Sequence, residues 1–441
     1  MAGRTERTGG TKPKRTVDGG GAGGRPVSGN WTPTERERGS HRGEPTRVGQ
    51  RSQSRAAAAR RRRGRIVAVL GLVLALALAG GVAYAAMRYF DKPEPIPDYT
   101  AGTPGPEVVV RLAPGETADE LSQTLAQQDV VKSSAAFYEA AVANSAMSNL
   151  QPGYYVVPTR IPADEAVSTL AAPESRVGQV VLSEGRQLHD SRDVNTSAIK
   201  EGIYRKISAA SCIGPAGQQE CVSYDDLNAA GASDDLNSLC VPSWAVDGVR
   251  AVPDRDRQLE GLIASGRWDF DPTATPTEIL CQLVRDATTQ YEKAGLLDPA
   301  KEGDLSPYQM LTAASLVERE ALPGDFHKVA RVILNRLAVG QPLQFDSTVN
   351  YALDTTEVAT TDADRATRTP WNTYAMSGLP ATPIAAPSIG AIEAVANPEP
   401  GNWLYFVTVD QQGTTVFTDS YDEHLRNIDQ AMGSGILDSG R

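Results

Sequence analysis

Hydrophobic residues recur with different periods along this chain, and each change of period marks a new segment. In residues 1–65 large apolar side chains are almost missing. A segment of that kind buries too little surface to offset its chain entropy, so disorder is expected there. Ile66–Met87 is the opposite case, a run of 22 residues without a charge. At ~1.5 Å rise per residue, a helix of that length crosses the ~30 Å hydrocarbon core of a bilayer. Residues 88–106 read as an extended spacer, with five prolines between Asp91 and Pro106. Glu107–Leu112 then has the apolar density of a strand, and Pro114-Gly115 turns it. Ala118, Leu121 and Leu125 recur at helical spacing, Ser133–Asn144 places Phe137, Ala140 and Ala141 on one side of a second helix, and Tyr154–Val157 forms another strand.

Further on, Val180–Gly185 opens a new unit as a short strand. From about Asn195 to Asp256 the chain is rich in Ser, Ala, Gly and Asp and holds three of the four cysteines, so we expect an insertion stapled by a disulfide. Thr277–Ala294 predicts a helix, with Pro276 ahead of it and Ile279, Leu280, Leu283, Val284 and Ala287 on its apolar face. In the helical run Met310–Ala321, Met310, Ala314, Val317 and Ala321 cluster, while Glu318 and Glu320 flank that stripe from opposite sides. The fold class is therefore α+β. We divide the chain into a basic tail (1–65), a transmembrane helix (66–87), a linker (88–106), a small module (107–175), a middle subdomain with the cysteine-containing insertion (176–302) and a C-terminal subdomain (303–441).

Charge sharpens this division. The net charge of −11 hides a tail with 17 basic and 5 acidic residues, which leaves 26 basic and 49 acidic residues for the remainder. Arg60-Arg61-Arg62-Arg63-Gly64-Arg65 directly precedes the apolar run and predicts that the N-terminal end stays in the cytoplasm, with the acidic bulk outside. Ala83-Tyr84-Ala85 is similar to a signal-peptidase site, but a 65-residue leader is too long for a signal peptide, so the helix is expected to stay as an anchor. The tail reads as a solvated arm beside anionic lipid; nucleic-acid binding lacks aromatic support beyond Trp31. Cys212, Cys221, Cys240 and Cys281 are an even number in an exported domain and suggest disulfides. Zinc would need C-x-x-C spacing that the chain lacks, and buried free thiols are the remaining alternative.

The usual nucleophile and metal signatures are missing. There is no G-x-S-x-G, H-E-x-x-H, P-loop or dinucleotide-binding glycine pattern. Ser197-Ala198-Ile199-Lys200 matches S-x-x-K, without the K-T-G or S-D-N that accompanies it in serine acyltransferases. Carboxylate chemistry at Glu318 and Glu320 remains. A glycosidic oxygen leaves well only when protonated, so glycan cleavage needs an acid that keeps its proton near neutral pH, and burial among apolar neighbours supplies one. Periodicity alone does not say which glutamate it is, and a helix glutamate is most often a solvated surface residue.

Leu316-Val317-Glu318-Arg319-Glu320 is followed by Val332-Ile333-Leu334-Asn335-Arg336-Leu337, Gly340, Pro342-Leu343-Gln344, Asp346, Thr348-Val349 and Tyr351. Asn372-Thr373-Tyr374, Gly378-Leu379-Pro380, Pro383-Ile384, Asn397-Pro398, Leu404–Val407, Tyr421 and Glu423-His424 complete an ordered set. This set resembles the endolytic murein transglycosylase family, densely from about residue 310 onward and loosely over residues 107–185. The strand, helix, helix, strand order of the small module resembles the LysM-like unit of that family, which would hold glycan; a spacer without a ligand is the alternative. Val180–Gly185 resembles the family's strand with Glu-Gly. Leu259-Glu260-Gly261 resembles a family element but continues differently, so no role passes to Glu260. Asp346-Ser347, Ala381-Thr382 and Ala386 stand where the family often has Asp-Pro, Pro-Gly and Asn, which touches loops that shape substrate preference.

The resemblance implies a lyase in which Glu320 is the general acid and base and Glu318 a supporting residue. The linkage between N-acetylmuramic acid and N-acetylglucosamine would open as the sugar's own 6-hydroxyl attacks C1, leaving a 1,6-anhydro end. One carboxylate then suffices, unlike hydrolases that use two. Asn335, Gln344, Asp346, Tyr351, Asn372 and Tyr374 are the expected substrate contacts, with Trp371 and Tyr374 offering flat faces to pyranose rings; Asn372 as a turn cap and Asp346 as a loop residue are the alternatives. No cofactor and no metal is expected. The partners expected are peptidoglycan glycan strands, the membrane and cell-wall synthases.

Overall fold

The computed structural model describes residues 54–90, 94–194, 196–214, 217–298, 305–356 and 360–436; of the tail expected to be disordered (1–65), residues 1–53 lie outside them, while 54–65 are helical and correct that expectation. The chain divides into two compact units, Met1–Pro93 and Glu94–Arg441. In the first, α1 (Ser54–Phe90) contains Val67–Phe90, a stretch of 24 residues long and apolar enough to cross a membrane. Its leucines and valines are exposed along the helix, as an all-round apolar helix requires when its surroundings are lipid.

The second unit begins with β1 (Glu107–Leu112), α2 (Ala118–Gln127), α3 (Ser134–Ala143), β2 (Gly153–Pro158), α4 (Ala163–Ala171) and β3 (Arg176–Val177). The order strand, helix, helix, strand is the one the hydrophobic pattern predicts. β1 and β2 pair antiparallel, with Val109 opposite Val156, and β3 joins the far edge of β2. Thr117 and Glu120 form a capping box at the start of α2. Val110, Leu125, Phe137, Val157 and Ala166 are fully buried in a core separate from that of the larger part.

The larger part follows with β4 (Gln179–Leu182), β5 (Ser191–Asp193), β6 (Ile199–Lys200), α5 (Ile203–Ala210), α6 (Tyr224–Gly231), α7 (Val246–Arg250), β7 (Gly266–Asp269) and α8 (Pro276–Lys293). β4 pairs antiparallel with β7, and Arg176 bonds Asp269 at 2.9 Å, tying the small module to this sheet. Ser197 stands in a left-handed turn between the antiparallel strands β5 and β6, so Ser197 and Lys200 are not one helical turn apart and the S-x-x-K geometry is absent.

The segment expected as an insertion stapled by a disulfide does hold one, and its described residues also reach deep: Ile203, Tyr204, Ile207, Leu227, Leu239 and Val249 are all fully buried in the main core. Its elements are too short for periodicity to stand out. The structure joins Cys212 to Cys221 within the segment, and Cys240 to Cys281 on α8.

The chain continues with α9 (Pro307–Glu320), α10 (Phe326–Ala338), α11 (Asp346–Ala352), β8 (Thr355–Thr356), α12 (Asp362–Ala366), α13 (Ile389–Ala396), the antiparallel hairpin β9 (Tyr405–Thr408) and β10 (Thr415–Thr418), and α14 (Tyr421–Ser434). Pro307 and a Ser306/Gln309 capping box start α9. Every side chain from Met310 to Val317 is buried, because α9 packs against α10, α11 and α13 at once. The central helix of the core therefore ends in the two glutamates.

Candidate active site

Glu320 is the last residue of α9, and Ala321 leaves the helix in an extended conformation. The final helical carbonyls give that end a partial negative charge, which disfavours a carboxylate placed there. The Glu320 pKa is raised, first by burial and then by the Asp346 carboxylate, while the Ser347 hydroxyl and amide and the Arg319 guanidinium oppose the shift. Ser347 Oγ is buried without a partner of normal hydrogen-bond geometry, so it remains open to a further contact. Part of the Glu320 side chain stays exposed. Burial thus favours its protonated form, and the residue is only partly enclosed.

Glu318 points elsewhere. Its carboxylate accepts the Ser388 N–H at 3.0 Å, immediately before α13. That contact separates two glutamates that the helical spacing leaves equivalent.

Asp346 opens α11 and is held from three sides: it accepts from Thr360 Oγ1 at 2.6 Å, from Tyr374 Oη at 2.8 Å and from both Nε and Nη2 of Arg365 at 3.2 Å. Burial and the Asp346 charge raise the Tyr374 pKa, so that phenol remains a donor. Gln344 has φ 54° and an exposed side chain, and its N–H bonds the Thr373 carbonyl. Phe345 N–H and Thr348 Oγ1 both meet Thr373 Oγ1, which stitches the 344–348 segment to 371–374.

Of the other residues expected at the substrate, Tyr351, Trp371 and Asn372 turn inward, and the half-buried Asn335 is tied to backbone. Asn372 is fully buried and its amide donates to the carbonyls of Asp364, Arg365 and Thr367. The Trp371 indole N–H bonds Thr382 Oγ1, and the buried Tyr351 hydroxyl donates to Glu260 at 3.1 Å. Asn335 donates to the carbonyls of Gly401 and Trp403. These four side chains frame the site, whereas Glu320, Gln344, Asp346 and Tyr374 remain at its surface.

Three residues gain a place here that sequence reasoning did not give them. Arg336 lies between the rings of Phe345 and Tyr405, donates to the Leu343 and Leu404 carbonyls, and sits within electrostatic reach of Glu320. Its neighbour Asn335 drew attention to the motif but not to the arginine. Ser347 faces Glu320. Glu260 is completely buried, and burial lifts its pKa to about 7 against the pull of the Leu188 amide and Arg257. Its sequence signal is a lone charge among Leu259, Leu262, Ile263 and Ala264.

Among the described residues no group of three His, Cys, Asp or Glu is arranged to hold a metal ion. A cavity of about 640 Å³ opens between the small module and the main part, lined by Gln151, Tyr155, Arg176, Gln179 and Ala210 among others, and shares no residue with the site around Glu320.

Residues 110–430 match the model of the YceG-like family. A Bacillus subtilis (strain 168) protein named endolytic murein transglycosylase is 27% identical over 331 residues, covering 74% of this chain and 85% of the relative. A Streptococcus pneumoniae protein of the same name is 24% identical over 355 residues; the match takes in 75% of this chain and 59% of that longer relative. The crystal structure of a yceG-like protein from Listeria monocytogenes aligns with a TM-score of 0.45 and 24% identity, over 73% of this chain and 99% of that one.

Proposed function

Since this chain belongs to the YceG-like family, we propose that it is a membrane-anchored endolytic transglycosylase that cleaves murein glycan strands. The observation that carries this reading is Glu320, a carboxyl at the end of the central helix whose pKa burial raises and which is only partly enclosed. Glu320 donates its proton to the oxygen linking N-acetylmuramic acid to N-acetylglucosamine, and the C1–O bond breaks. The 6-hydroxyl of the muramic acid closes on C1, and its proton passes to the Glu320 carboxylate, which restores the acid. The product is a 1,6-anhydro end. Asp346 supports this route over hydrolysis, because Thr360, Tyr374 and Arg365 already occupy its oxygens and leave it poorly placed to activate water. Gln344 and the Tyr374 ring contact the sugar, Asp346 holds Tyr374 in place, and Asn335, Tyr351, Trp371 and Asn372 hold the frame.

α1 anchors the enzyme with its N-terminus in the cytoplasm and the catalytic part outside, a placement that fits two disulfides in the same unit as the site. The small module gives the strand a second, LysM-like contact, and cell-wall synthases are the expected neighbours. Mass spectrometry of digested glycan strands tests the chemistry. New 1,6-anhydro ends mean a lyase, new reducing ends a muramidase, and no new ends a glycan-binding scaffold.

A further inference from the structure

Three cations gather beside the C-terminal end of α9. The turn at Gly185-Arg186 connects them. Arg319 Nη1 donates to the Gly185 carbonyl at 3.3 Å, and Gly185 has φ 66°, with the Arg319 guanidinium only 3.5 Å from where a Cβ would stand. Arg186 reaches the other way, donating to Ser183 Oγ at 2.9 Å and to the carbonyl of Glu201, the residue after Lys200. Reciprocal backbone bonds to Ala386, from Gly185 N–H and to the Arg186 carbonyl, fix the turn. Crowding that strips water from the ammonium, and then the charges of Arg319 and Arg186, lower the Lys200 pKa to about 8, although strand β6 itself is exposed.

Among the described residues none of the three cations forms an ion pair. Such isolation is unusual in this chain, where acidic residues outnumber basic ones and Arg176, Arg205, Arg257 and Arg365 all meet aspartates. Of the carboxylates nearby, Glu318 accepts the Ser388 N–H, and Glu201 lies 3.7 Å from Lys206 with its charge also reaching Arg186, leaving the exposed Glu184 and Glu320. Arg186 Nε and Arg319 Nε are both buried with no acceptor. Guanidiniums held together with unused N–H groups are arranged for an anion, and their planar fork fits a carboxylate.

Building on the reading of Glu320 as the acid for murein glycan, we propose that Arg186, Lys200 and Arg319 form an anion subsite at the edge of the cleavage site that takes a carboxylate of the peptide stem on the muramic acid. Arg319 is adjacent to Glu320 in the helix and acts on its charge, so an anion bound there registers the strand against the acid. The enzyme thereby distinguishes strands that carry stems from strands stripped of them.

The test uses the full chain with Glu320→Gln, in detergent, so that strands bind without being cut. Glycan strands of equal length, with stems and with stems removed by an amidase, are compared for affinity. Stemmed strands should bind about tenfold more tightly, which corresponds to ~1.4 kcal/mol. Lys200→Ala and Arg186→Ala should each bring that ratio toward one, Lys200→Arg should keep most of it, and Lys293→Ala, at the exposed end of α8, should leave it unchanged. Equal binding of both strand types overturns the subsite. Competition by inorganic phosphate but not by free stem peptide also overturns it, in favour of a phosphate-bearing ligand. Cleavage by the unmodified enzyme is scored separately: strands bound but never cut overturn the proposed chemistry, while the affinity ratio still decides the subsite.

Discussion

Glu320 and Glu260 are raised by the same physical cause, a carboxyl whose charged form is penalised by burial, and they sit in opposite settings. Glu260 is sealed in the core: Oε2 accepts the Leu188 N–H and the Tyr351 hydroxyl, each at 3.1 Å, and Oε1 has no partner. It joins the turn after β4 to α11, the helix whose first residues face Glu320. Glu320 stands at a helix end, only partly enclosed, with the Ser347 hydroxyl beside it. A raised carboxyl is therefore not in itself a catalytic acid; access to a leaving group separates the two, and Glu260 acts as a strut.

The largest effect expected is on turnover. Glu320→Gln preserves shape and removes the transferable proton, so release of 1,6-anhydro product should fall by ~10²- to 10⁴-fold or more. Glu260→Gln keeps an acceptor for Tyr351 and should retain activity within about one order of magnitude of that range's upper reference, the unmodified enzyme. A folded Glu260→Gln protein as inactive as Glu320→Gln would erase the distinction between acid and strut.

Stability against pH gives the second test. The Glu260 pKa rises from 4.5 to about 7 on folding. Below 4.5 both folded and unfolded states are protonated and the contribution is fully present. As pH climbs toward 7 the unfolded chain loses its proton first, so the native state loses ~3 kcal/mol across that window. Denaturant titrations between pH 4.5 and 7.5 should show this extra fall in the unmodified protein and not in Glu260→Gln. Parallel curves for the two proteins would mean that Glu260 is charged in the core.

Glu320 should answer to a neighbouring carboxylate, an influence not found among those acting on Glu260. Asp346→Asn removes the like charge that helps hold the Glu320 proton and leaves Arg365 without its carboxylate, so the Glu320 pKa should fall. The basic limb of the kcat/KM profile then moves to lower pH. A limb that stays in place, or moves upward, would show that burial alone sets this acid.

Much of this arrangement is legible in the sequence, and the limits have physical reasons. The spacing from Met310 to Ala321 marks α9 because a long helix with small and apolar residues leaves a clear period. The frame residues are less readable. Trp371, Asn372 and Asn335 have the chemistry of sugar contacts, but their partners Thr382, Asp364 to Thr367 and Gly401 to Trp403 come together only through packing. Residues 195–256 are hard to read for a related reason: α5, α6 and α7 are eight, eight and five residues long, and each sends only a few apolar anchors inward. Glu260 was visible as a charge among leucines, but no local pattern tells a strut from an acid.

The smallest effect expected concerns the glutamate two residues from the acid. Glu318 Oε2 accepts the Ser388 N–H, so its charge sits at the positive end of α13 and links that helix to the end of α9. Glu318→Gln removes the charge and leaves a neutral carbonyl able to accept the same N–H. The cost should be ~0.3–1 kcal/mol of stability, the usual size of a charge at a helix terminus. Activity should remain measurable with the same 1,6-anhydro product, because the surroundings that raise the Glu320 pKa do not include Glu318. Denaturation midpoints read beside product analysis separate the two effects. A stable Glu318→Gln protein that makes no product would transfer the role of acid to Glu318, and Glu320 would become the helix-end residue that Glu318 is taken to be.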